Sequence, residues 1–204
     1  MIPTYFLSKL RPYEVQVHGV KVKATVVANN VSFLEQKLSE LSSKRVVGVD
    51  VKFQSRVASL LLLCVEGHCL IIPIRAPFST VFNPKKVSDS GLGRLLADQN
   101  ICFVYSKFKS EDATSYAGLP EMMKQTGIEV DHLAATILKK PTLLRKGLYE
   151  LGREVGIDIK SAYYVKYTNW SDVKVFSEEE IKYAIHDVYA TFLIGNKLLG
   201  TLAS

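Results

Sequence analysis

Two carboxylates in this chain sit where ordinary packing gives them little reason to be. Asp50 lies inside an apolar run, VVGVDVKF at residues 46–53. A carboxylate in so apolar a strand is costly unless something pairs with it. It is therefore either a strand-end Asp bonded to backbone or solvent, or a metal-binding carboxylate at the edge of a sheet. Asp187 follows Tyr183 by four residues in FSEEEIKYAIHDVYATFLIGNKLL. On a helix that spacing puts both side chains on one face, and that face is offset from the apolar stripe. The plain alternative for Asp187 is the solvated side of the helix. A third feature is residues 139–166, with seven basic and three acidic residues and Tyr149, Tyr163 and Tyr164 among them; Tyr167 and Trp170 follow. Lys139, Lys140, Arg145 and Lys146 suit phosphates and the aromatics suit unstacked bases. The alternative is a solvated face with core aromatics.

The elements that must hold these residues are legible from periodicity. Residues 46–53, 57–65 and 69–74 are short runs rich in Val, Ile and Leu, as buried strands are. Glu66-Gly67 predicts a hairpin between the second and third. Alternation around His18-Gly19 predicts another over residues 13–28, and Val31, Leu34, Leu38 and Leu41 recur at a helical period. Residues 75–90 read as a loop, 92–97 as a short helix and 101–105 as a strand returning to the sheet. After residue 110 the period becomes helical, near 111–117, 131–138, 147–155 and 177–202. The last helix has the clearest start: Ser177 and Glu180 form a capping box, with Phe176 and Ile181 placed as a hydrophobic staple. Ile181, Ile185, Val188, Phe192 and Leu199 form its apolar stripe. Strands followed by helices predict an α/β sandwich.

The segments VVGVDVKF, ASLLLLCVEGHCLIIPI, FVYSKFKSEDATSY and NWSDVKVFSEEEIKYAIHDVYATFLIGNKLL resemble, in order and spacing, the Werner-like and ribonuclease D-like 3′–5′ exonucleases. These are the tyrosine subgroup of the DEDD exonucleases. The resemblance runs from about residue 13 to 199. It implies a ribonuclease H-like fold: a mixed, twisted β-sheet flanked by α-helices. The family's third motif, Tyr-x-x-x-Asp, is matched by Tyr183-Ala184-Ile185-His186-Asp187. The histidine subgroup would place His at Lys182, and His186 inherits no role.

By the same resemblance, two divalent cations (Mg²⁺ or Mn²⁺) would sit about 4 Å apart among carboxylates. Asp50 would bridge them, Asp187 would complete one site and Tyr183 would orient the attacking water. Two positions depart from the pattern. The first motif, Asp-x-Glu in the family, reads Asp50-Val51-Lys52. The second-motif Asp falls at Glu111, with Asp112 adjacent. Lys52 brings a positive charge to the place of a ligand, and could instead pair with Asp50 and Asp187 and replace the cation. Two functions follow. One is a metal-dependent 3′–5′ exonuclease acting on single-stranded ends of RNA or DNA. The other is a catalytically inactive pseudo-nuclease that serves as a nucleic-acid-binding or protein-assembly module.

Composition narrows the rest. At 204 residues and 48% hydrophobic, the chain is expected to form one domain over 1–204, with an N-terminal hairpin at about 13–28 and a core at about 31–202. The longest apolar run is too short to span a membrane, and no signal peptide is read at the start. Cys64, Cys69 and Cys102 lack metal-ligand spacing and read as reduced, buried cysteines, so an intracellular place, cytoplasm or nucleus, is expected. The net charge of +6 suits an acidic partner. A homo-oligomer is compatible with a small domain, although no coiled-coil heptads support one.

Overall fold

The computed structural model describes residues 12–27, 30–54, 57–74, 90–107, 119–161, 170 and 176–202. Glu111, Asp112, Tyr163, Tyr164, Tyr167, Lys166 and the helix expected at 111–117 lie outside the described residues.

Among the described residues seven strands form one sheet: β1 (Tyr13–Val17), β2 (Val20–Val26), β3 (Val46–Gln54), β4 (Val57–Val65), β5 (His68–Pro73), β6 (Cys102–Tyr105) and β7 (Gly127–Glu129). Their spatial order is β1-β2-β5-β4-β3-β6-β7. The β1–β2, β4–β5 and β3–β4 pairs are antiparallel, whereas β2–β5, β3–β6 and β6–β7 are parallel. The sheet is therefore mixed, as expected. β7 is three residues long and carries too little pattern to be read from sequence.

The helices are α1 (Val31–Leu41), α2 (Gly91–Leu96), α3 (Leu119–Met122), α4 (Val130–Ile137), α5 (Leu148–Glu154) and α6 (Glu178–Gly200), with a 3₁₀ turn at Pro141–Leu143. Strand alternation divides the core in two. Val47, Val49, Leu61 and Leu63 pack with Leu34 and Leu38 of α1 and Leu92 of α2. Leu60, Leu62 and Ile71 face the other way and pack with Ile181, Ile185, Val188 and Phe192 of α6. Both layers are almost fully buried.

α6 begins at the capping box that its sequence announces. The Glu180 N–H donates to Ser177 Oγ at 3.2 Å and the Ser177 N–H donates to Glu180 Oε2 at 2.8 Å. Its buried stripe ends at Leu198 rather than Leu199. Gly48 sets how closely α6 approaches β3: a Cβ there would lie 2.7 Å from the Val188 carbonyl and 2.8 Å from Phe192 Cβ. No other residue type fits at that crossing without moving the helix.

One sequence expectation needs correction. Cys64 and Cys69 are directly opposed on β4 and β5, with Cα atoms 4.1 Å apart and the two sulfurs bonded. The hairpin register places them together, which spacing in the sequence does not reveal. Cys102 is free.

Candidate functional site

Side chains alternate along a strand, so Gly48, Asp50 and Lys52 of β3 share the face that α6 covers. Where Gly48 lets the helix backbone in, the next two positions carry Asp50 and Lys52. On α6, Tyr183 and Asp187 are one turn apart and come to the same place. The Lys52 Nζ lies 2.8 Å from Asp50 Oδ2 and 3.4 Å from Asp187 Oδ2. It also sits 5.9 Å from the centroid of the Tyr183 ring. That ring stacks on the buried Trp170, with centroids 6.1 Å apart and planes within 4°. A register shift follows directly after Lys52, where β4 carries one extra residue; such bulges re-aim side chains at the end of a strand.

The Asp50 and Lys52 side chains are each only 14% exposed. Burial pushes the Asp50 carboxyl above its ordinary value, and the Lys52 charge and hydrogen bond offset only part of that rise. Burial also works against the Lys52 charge, yet Asp50 and Asp187 outweigh it and raise the ammonium's pKa. The 2.8 Å contact between them lies in the range of a charge-assisted hydrogen bond. Asp187 is more open, its side chain 48% exposed. Burial opposes its charge, but the hydrogen bond from His186 and the Lys52 charge hold its carboxyl down at about 2.

His186 contributes more than its helix position suggests. It is buried; its Nδ1 lies 2.9 Å from Asp187 Oδ1 and its Nε2 lies 2.8 Å from the Lys160 carbonyl. His18, at the tip of the β1–β2 hairpin, donates from Nε2 to the His186 carbonyl at 2.9 Å and accepts the Lys160 N–H on Nδ1 at 3.2 Å. That pattern requires the neutral ring with its proton on Nε2, and burial, the largest influence, lowers the His18 pKa. The sequence signal for this pair is weak: two histidines 168 residues apart.

Asp50 and Asp187 supply hard oxygens, as Mg²⁺ and Mn²⁺ require. Lys52 supplies an ammonium, which has no lone pair to offer, and places it within bonding distance of both carboxylates. The same oxygens cannot serve a metal without displacing that ammonium. Among the described residues the group does not fit a metal centre.

Another acidic group lies elsewhere. Glu129, Asp131 and His132 place potential ligand atoms within 4.8 Å of one another. However, Asp131 already accepts the Arg145 N–H at 2.7 Å and the His132 N–H at 2.8 Å. These bonds, with those of the His132 side chain, lower its pKa against the effect of burial. Its role on this geometry is to hold the turn after α4. Lys139 and Arg145 on that turn have left-handed backbone, with φ of 54° and 67°. Lys139, Lys140, Arg145 and Lys146 are all exposed. Lys140 pairs with Glu154 at 2.6 Å and Lys146 with Glu150 at 3.7 Å. Next to them Tyr149 is 57% exposed, with the Arg153 guanidinium 6.0 Å from its ring centroid.

Comparison with known proteins agrees with this architecture. The catalytic core of RRP6 from Trypanosoma brucei superposes with a TM-score of 0.61 at 15% identity, over 100% of this chain and 53% of that one. Escherichia coli RNase D, an exoribonuclease involved in structured RNA processing, gives 0.61 at 17% identity over 88% of this chain and 45% of that one. The Nibbler EXO domain of Aedes aegypti gives 0.62 at 12% identity over 94% and 93%. The chain thus spans about half the length of the RRP6 and RNase D chains. No curated protein sequence matches it. These likenesses establish the ribonuclease H-like α/β fold that the motifs implied. A sequence model of the 3′–5′ exonuclease family matches residues 26–203, and the chain belongs to that family.

Proposed function

We propose that this chain is a nucleic-acid-binding member of the 3′–5′ exonuclease family in which Lys52 stands where the catalytic metals would be held, so that hydrolysis is lost. The observation that carries this is the single ammonium shared by Asp50 and Asp187, at 2.8 and 3.4 Å. Its positive charge offsets the repulsion between the two carboxylates, and it joins strand and helix without an ion. Tyr183 and Asp187 retain the spacing of the family's third motif, but Tyr183 is committed to the Trp170 stack and to Lys52. In this reading strand binding falls to the exposed turn carrying Lys139, Lys140, Arg145 and Lys146. The net charge of +6 and the exposed Tyr149 beside Arg153 support that assignment.

The test is shortening of a 3′-labelled single strand of RNA or DNA with Mg²⁺ or Mn²⁺, together with Mn²⁺ titration by calorimetry. The wild type should neither shorten the strand nor take up Mn²⁺. Lys52→Glu should gain Mn²⁺ binding, because a ligand replaces a competing cation. Robust wild-type cleavage that disappears in Asp187→Asn would establish the active-enzyme reading instead. Lys52 would then have to swing clear of both carboxylates.

A further inference from the structure

A cavity of about 520 Å³ opens beside His186, between the β1–β2 hairpin tip, α6 and the stretch after Gly156. Small-molecule sites typically measure roughly 300–1,000 Å³. The walls are tied together in three places. His18 binds the His186 carbonyl and the Lys160 N–H, and His186 Nε2 binds the Lys160 carbonyl. The His18 and His186 rings also meet edge to face at 4.3 Å. His18 holds left-handed backbone, φ 52°, a conformation that costs energy in a non-glycine residue and persists only where its surroundings hold it. The cavity is therefore pre-formed rather than made by a moving loop.

Its lining is one-sided in charge. Lys160 and Lys182 are there, Ser161 offers a hydroxyl, and among the described residues no carboxylate lines it. Each lysine pairs with an acid that stands outside the lining and is exposed: Lys160 with Asp158, and Lys182 with Glu178 at 2.8 Å. The exposed Lys160–Asp158 pair is weak, so Lys160 can turn to a better anion at small cost, while Lys182 adds its charge from the wall. Lys182 and His186 are four apart on α6 and lie on one face, which directs Lys182 along the cavity wall. Two ammonium groups and a hydroxyl suit a phosphate oxygen set. The volume exceeds what a bare phosphate fills and accommodates an attached sugar and ring, with Val17 and the faces of the two imidazoles along the wall.

We propose that this cavity binds a phosphate monoester of about nucleotide size. The ligand could be a free mononucleotide or the phosphorylated end of a strand, which present the same chemistry. The lining includes none of Asp50, Lys52 and Asp187, although His186 touches Asp187 Oδ1 at 2.9 Å, and binding there does not require that group to be inactive.

The experiment is isothermal calorimetry on the full chain with adenosine 5′-monophosphate, adenosine and inorganic phosphate, then a short oligonucleotide with and without a 5′-phosphate. Adenosine 5′-monophosphate should bind, adenosine should give no heat, and inorganic phosphate should bind more weakly than the monophosphate. The double variant Lys160→Gln/Lys182→Gln loses two charge-assisted hydrogen bonds and should bind the monophosphate at least about tenfold more weakly. Its thermal unfolding should match the wild type, and Lys182→Glu alone should also abolish binding by repulsion. A variant-sensitive preference for the phosphorylated oligonucleotide identifies a strand end as the ligand; its absence, with monophosphate binding retained, identifies a free nucleotide. No heat with the monophosphate, equal affinity in the double variant, or equal binding of adenosine overturns the proposal. Strand binding that persists while monophosphate binding is absent would sink this site alone and leave the function proposed for the 139–146 turn standing.

Discussion

The chain uses basic side chains in two opposite settings. Lys52 is enclosed, shares two carboxylates and lies against an aromatic ring. The cluster on the turn after α4 is open: Lys139, Lys140, Arg145 and Lys146 all reach solvent, and their ion pairs are with exposed acids. An enclosed charge is tied to folding because water cannot replace its partners. Exposed charges contribute little to folding and remain available to a polyanion. Lys52 is thus bound up with the fold, whereas the basic turn can still meet a ligand.

The largest effect should come from breaking the enclosed pair on one side. Lys52→Met leaves Asp50 buried without its cation and should lower the unfolding free energy by about 3 kcal/mol or more, measured by urea denaturation. Adding Asp50→Asn should recover much of that loss, because the uncompensated charge is gone. Replacing Lys139, Lys140, Arg145 and Lys146 together by Ala should change stability by no more than about 1 kcal/mol in total. Equal losses in the two experiments would erase the distinction.

The same four-fold variant should have its main effect on binding. Each phosphate contact contributes roughly 0.7 to the log–log salt slope for a single strand. The slope for a labelled oligonucleotide, followed by fluorescence anisotropy, should therefore flatten by about 2 to 3 if all four residues contact phosphates. An unchanged slope would mean that these charges only solvate the surface.

Acid titration gives a smaller, signed effect. The Asp187 carboxyl is held at about 2 against an unfolded value of 3.8. Its contribution is present above the unfolded value and is lost as pH falls from about 4 through about 2. Asp187→Asn should flatten stability against pH in that window, by a modest amount because the side chain is half exposed and screened. Asp50 runs the other way: its carboxyl is raised in the fold, so its proton-linked contribution is greatest below the unfolded value and is lost as pH rises through the folded one. A thermal-melt series from pH 2 to neutrality in wild type, Asp187→Asn and Asp50→Asn separates the two.

The smallest effect concerns the open turn itself. Lys139 holds φ 54°, where glycine is more at ease. Lys139→Gly should raise stability by about 1 kcal/mol or less, the relief of strain being partly offset by unfolded-state entropy. A clear loss would show that the lysine side chain has a packing role in the turn.

The sequence alone determined what depends on local pattern. Short runs rich in Val, Ile and Leu named β3, β4 and β5, the 3.6-residue period and capping box named α6, and the motif Tyr183 to Asp187 named the family. These features are written in neighbouring residues, so no long-range contact is needed to read them. Even the chance of a Lys52 ammonium between Asp50 and Asp187 could be raised from the substitution in the first motif. Only the tertiary structure decided that it bridges them, because the 2.8 and 3.4 Å distances depend on how closely α6 crosses β3 at Gly48. The pairing of Cys64 with Cys69 likewise needed the hairpin register. The His18–His186 contact, and with it the cavity beside Lys160 and Lys182, joins residues from opposite ends of the chain. Side-chain hydrogen bonds between distant segments leave no periodic trace in a sequence, so packing alone could place them.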